Sequence, residues 1–110
     1  MANFEKAKGN SVYGNHDVAA TAATSAISAP RAALLDLSLD FGTGSGVGTV
    51  VLQRQTHTTA DSGDLLWQDV ASYTGDTEKV IRSGADRGYR LNITVSSGEI
   101  AFELTAAGQA

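Results

Sequence analysis

The stretch "AALLDLSLDF", positions 32–41, decides how this chain is read. Leu35, Leu37, Leu39 and Phe41 fall on one parity, and Asp36, Ser38 and Asp40 on the other. A period of two places one set in a core and the other in water, which is the signature of a half-buried strand. "GYRLNITV" (88–95) repeats it, with Tyr89, Leu91, Ile93 and Val95 inward and Arg90, Asn92 and Thr94 outward. "EIAFEL" (99–104) does the same with Ile100, Phe102 and Leu104. Pairing Val95 with Ile100 and Ile93 with Phe102 keeps the apolar residues together and leaves Ser96–Glu99 as the turn of an expected hairpin.

Between these segments, "TVVLQRQ" (49–55), "LLWQDVASY" (65–73) and "TEKVIR" (77–82) read as further strands. Trp67 and Val70 lie three apart, on opposite parity, which predicts a β-bulge in that strand. The connections "GTGSGVG", "TGD", "SGADRG" and "SSG" are turn chemistry. Six short strands with no convincing helix predict an all-β fold, a small antiparallel β-sandwich or barrel, over residues 31–110.

Residues 1–30 look different. Their large apolar side chains are few (Phe4, Val12, Tyr13, Val18 and Ile27), and residues 18–29 are mostly Ala, Ser and Thr before the single proline, Pro30. Such a segment buries too little surface by itself to offset its ordering entropy. The expectation is an extended N-terminal arm, ordered only against something else, with a disordered tail as the alternative. The 80-residue body that remains is small, has no cysteine to staple it, and would gain from oligomerisation or docking.

Composition removes several functions. With 8 Lys+Arg against 12 Asp+Glu, a net charge of −4 and a pI near 4.9, the chain lacks the basic face that nucleic-acid phosphate requires. Its apolar runs are too short to span a bilayer, and no basic segment followed by an apolar run marks a secretory signal, so neither membrane nor export is expected.

No motif supplies catalysis. The Gly-rich run 42–48 lacks the Gly-Lys-Ser/Thr ending of a phosphate loop and is followed by a strand, so a flexible loop is expected. The acidic tip Asp61–Asp64 suits a hydrogen-bonded turn; calcium is the weaker alternative, because the closing bidentate Glu is missing. His16 and His57 have no spaced metal-binding partners, and no nucleophile–base pair is evident. Trp67 is expected in the core at a hairpin end, with sugar stacking as the alternative. Arg82, Arg87 and Arg90 form a small basic group diluted by acids, a weak candidate for polar subunit contacts. No enzyme, cofactor or metal site is expected.

"GTVVLQRQ", the acidic Gly-containing tip, "LLWQDVASYTGDTEKVI", "GYRLNITV" and "SSGEIAFELT" resemble a family of small virion proteins of tailed phages, over residues 35–105. The tip is also similar to an Asp-box turn, with Thr59, Asp61 and Gly63 matching in kind, Leu65 replacing its threonine and Trp67 arriving one residue late. What the resemblance implies is an accessory role in the virion: a capsid cement or decoration protein that bridges major capsid protein subunits, assembled in the host cytoplasm and acting as a homotrimer. A head-fibre base, a tail component or a carbohydrate-binding module on a fibre are the alternatives. On this reading Phe4, Tyr13 and Ile27 are the expected anchors of the arm, and Arg82, Arg87 and Arg90 the weaker polar contacts.

Overall fold

The computed structural model describes residues 3–17, 19–59, 65–83 and 87–109. The described chain is all β: two antiparallel sheets packed face to face as a β-sandwich, with no helix among the described residues. Ten strands follow in order: β1 (Phe4–Lys8), β2 (Ser11–His16), β3 (Thr21–Ala23), β4 (Ile27–Ala29), β5 (Ala33–Asp40), β6 (Val47–Thr59), β7 (Leu65–Tyr73), β8 (Thr77–Arg82), β9 (Arg87–Ser97) and β10 (Ile100–Gln109). One sheet, here sheet A, has the order β1-β2-β10-β5-β8; the other, sheet B, has β3-β9-β6-β7, with β4 also pairing β9. The alternation of β5 is met as expected: Ala33, Leu35, Leu37 and Leu39 are buried, and Asp36 faces solvent. They meet Val50, Leu52, Leu91, Ile93, Val95, Ile100, Phe102 and Leu104 in a single core.

The boundary expected at residue 30 is not a boundary in the fold. Residues 4–29 supply four strands to both sheets, so they are not an arm outside the body. β2 pairs along β10, with Val12 opposite Leu104, and β1 forms a hairpin on β2. β3 and β4 lie end to end along β9, and Thr24 bridges the gap between them: its N–H donates to the Leu91 carbonyl (2.8 Å) and its Oγ1 accepts from the Leu91 N–H (3.0 Å). Val12, Ile27 and Ala29 belong to the core. A latch joins the two sheets here. The Glu5 carboxylate of β1 accepts from both the N–H (2.9 Å) and the hydroxyl (2.8 Å) of Ser25, which lies between β3 and β4.

A second expectation is also corrected. β9 and β10 do not form a hairpin, because they lie in different sheets. The Ser96–Glu99 connection carries the chain across the sandwich, with Gly98 in the left-handed region at φ 67°. The expected bulge is present: Leu52 pairs with Ala71 and Gln53 with Asp69, which leaves Val70 as the extra residue of β7. The Gly-rich run 42–48 is hydrogen-bonded throughout its centre. The Gly46 N–H donates to the Phe41 carbonyl (2.7 Å), and the Glu99 N–H to that of Gly44 (3.2 Å). It packs on the β9–β10 crossover, so it is a built turn and not a slack loop.

Candidate docking faces

Strand register assigns each candidate residue to a face. On sheet A, the core-facing Val12, Gly14 and His16 of β2 alternate with the outward Ser11, Tyr13 and Asn15; Phe4, Lys6 and Lys8 of β1 pair with those outward residues. Phe4 and Tyr13 are thereby diagonal neighbours on the outer face of sheet A, a spacing within reach of aromatic side chains. Phe4 is 51% exposed, and Tyr13 is half-buried beside Glu103. Arg82 reaches the same outer face from its far edge, paired with Leu34. Ile27 does not: it is 3% exposed and faces the core opposite Tyr89, so it is removed from the anchors.

The basic group is dispersed. Arg82 lies on sheet A, whereas Arg90 lies on the outer face of sheet B. Arg87 pairs with Ala29 through the backbone, and its side chain is outside the described residues. The Asp61–Asp64 tip, with its calcium and Asp-box readings, also lies outside them, as does the side chain of His57.

Between the aromatic and basic ends, the outer face of sheet A is acidic. Beside it an open groove of about 570 Å³ is lined by Ser38, Asp40, Thr43, Asp76 and Glu78 among others. Two of its carboxylates hold backbone. Asp76 Oδ1 accepts from the N–H groups of Phe41 (2.8 Å) and Gly42 (3.0 Å), clamping the start of the Gly-rich turn. Asp40 Oδ1 accepts from the Thr43 N–H (3.0 Å), and this bonding holds its carboxyl below the ordinary range. Among the described residues no three His, Asp or Glu side chains converge as a metal site.

His16 is 3% exposed, edge-on to Phe102 at 5.0 Å, with Nε2 3.8 Å from Glu5. Burial pushes its imidazole below the ordinary value, against the opposing pull of Glu5.

The outer face of sheet B carries an arrangement that sequence reasoning missed. The Arg90 guanidinium lies over the Trp67 ring, 4.2 Å from its centre, and Arg90 Nε donates to Gln53 Oε1 (2.8 Å). Gln53 Nε2 in turn donates to Asp69 Oδ1 (2.9 Å). Trp67 is therefore a half-buried outer-face residue and not the core residue expected. The signal was the bulge itself, which puts Trp67 on the face opposite Ala71 and Tyr73 although all three share one parity. Comparisons with known protein families, characterised proteins and solved structures find no match for this chain.

Proposed function

We propose that this chain is a structural protein of a phage virion, a cement or decoration protein that lies on the outer shell and bridges neighbouring major capsid protein subunits. The resemblance over residues 35–105 suggests the role, and one observation carries it further: the outer face of sheet A presents Phe4 and Tyr13 together on a broad, closely hydrogen-bonded slab. The slab measures 36 × 35 × 22 Å. Its broad side is large enough for the roughly 800 Å² per partner of a standard interface. Burying an exposed aromatic against a shell subunit supplies affinity, and the surrounding polar residues fix orientation. Docking comes from this face and not from a threaded arm, because residues 4–29 are already committed to the two sheets.

The test is binding of the purified chain to particles of the encoding phage that lack it. Phe4→Ala and Tyr13→Ala are expected to weaken binding about tenfold while leaving the fold intact, as interface aromatics do. Unchanged binding by both variants would remove this face from the proposal.

One observation favours a second reading, a glycan-binding module on a fibre. Arg90 stacks on the Trp67 indole and is joined through Gln53 to Asp69 in one polar, hydrogen-bonded cluster. Glycan binding abolished by Trp67→Ala, without particle binding, would select it. A head-fibre base or tail component differs from cement in copy number.

A further inference from the structure

We propose that β8 is a self-pairing edge, through which two copies of this chain join their A sheets into one continuous sheet. The inference does not rest on the virion reading. Among the described residues the sandwich has its free edges at β1 and β8 in sheet A, and at β3/β4 and β7 in sheet B. Three of these are blunted. β3 and β4 are three residues each, and β7 is broken by its bulge at Val70, a device that turns an edge away from pairing. β1, "FEKAK", centred on itself antiparallel, would set Lys6 against Lys6.

β8 is different. Its six residues, "TEKVIR", run in unbroken register along β5 with no glycine or proline. The Ser83 N–H donates to the Ala33 carbonyl (2.9 Å), so strand alternation turns the N–H and C=O groups of Ile81 and Lys79 toward β5 and those of Glu78, Val80 and Arg82 toward the open edge. The side chains of the same three residues share the outer face, opposite Ser38, Asp36 and Leu34. Val80 is 64% exposed, more than Phe4, Val47 or Val70.

An antiparallel two-fold through Val80 fits both sets of groups. It opposes Val80 to Val80 and, twice, Glu78 to Arg82 of the second copy, a charge-complementary cross-strand pair. Each opposed pair is also one whose backbone groups point across the edge, so each exchanges two hydrogen bonds. Lys79 falls on the other side, opposite Ile81; its stem is exposed and carries the ammonium back to water. That inward charge weakens the pairing without breaking the strand's register, which makes the association concentration-dependent and not obligate. The contact is two-fold, whereas the resemblance implies a trimer.

Sedimentation equilibrium of the full chain over a concentration series separates these. The expected result is a monomer–dimer equilibrium, weakened about tenfold by Glu78→Arg or Arg82→Glu alone and regained in the double variant with both charges exchanged. Val80→Pro, which deletes an N–H aimed at the open edge, is expected to abolish the dimer with circular dichroism unchanged. A monomer at every concentration, a trimer indifferent to these substitutions, or a double variant that stays monomeric would overturn the proposal.

Discussion

Replacing Ile27 by Ala separates a core residue from an arm anchor, because the two roles predict opposite results in the isolated chain. Ile27 is 3% exposed on β4, opposite Tyr89, within the single core. The substitution removes three carbons, worth about 0.8 kcal/mol each in transfer free energy, or about 2.4 kcal/mol. Incomplete collapse of the space left behind adds roughly 1 kcal/mol, giving about 3–4 kcal/mol, within the range of about 2–5 kcal/mol for such truncations. A domain of this size has roughly 5–15 kcal/mol in total, and each kilocalorie lowers Tm by about 4 °C, so a drop of about 12–16 °C is expected. Urea unfolding of the purified chain followed by far-UV circular dichroism reads the loss, with Phe4→Ala as the reference. Phe4, half exposed on the outside of an edge strand, is expected to cost less than about 1 kcal/mol. A cost below about 1 kcal/mol for Ile27→Ala would refute the placement of residues 27–29 in the core.

Two glycines give a paired prediction. Gly9 (φ 59°) and Gly98 (φ 67°) are both left-handed, but a Cβ at Gly9 meets open space, whereas one at Gly98 meets the Ser45 and Gly44 carbonyls. Gly9→Ala is expected to cost about 1 kcal/mol and Gly98→Ala at least about 2 kcal/mol, measured by thermal melting; equal costs would contradict the packing of the crossover on the Gly-rich turn. His16 makes stability depend on pH. Its folded pKa is lowered by burial, so the unfolded chain binds the proton more readily, and His16's contribution is intact above the ordinary value of about 6.5 and is lost progressively as pH falls from there through the lower folded value. Between pH 7.5 and 5.5 the wild type is expected to lose more stability than His16→Gln; parallel profiles would show that His16 is not the titrating group.

The strands after residue 31 were legible because each carries enough large apolar residues for a period of two to show. β2 hides the same period. Its core-facing side reads Val12, Gly14, His16, only one of them apolar, and Gly14 has no room for a side chain against the Phe4 carbonyl. β3 and β4 are too short for any period, and their inward residues are Ala22, Ile27 and Ala29. One local signal was present: Gly9-Asn10 between two β-compatible runs is a two-residue hairpin turn, and Lys8 does pair with Ser11. The mistaken β9–β10 hairpin has another cause. Parity places Val95 and Ile100 in a core but does not distinguish neighbours in one sheet from strands facing each other across two. For the docking faces, Phe4 and Tyr13 were legible as apolar residues in a polar segment, yet their common face is set by the β1–β2 register. The Trp67–Arg90–Gln53–Asp69 cluster draws on three strands and was out of reach of any local pattern.

The virion proposal is tested most directly by counting this protein in purified particles of the encoding phage by quantitative mass spectrometry against the major capsid protein. A cement or decoration role predicts hundreds of copies in a simple ratio to the shell subunit. A handful to a few dozen would move the protein to a fibre or tail, and its absence from the particle would contradict the proposal outright.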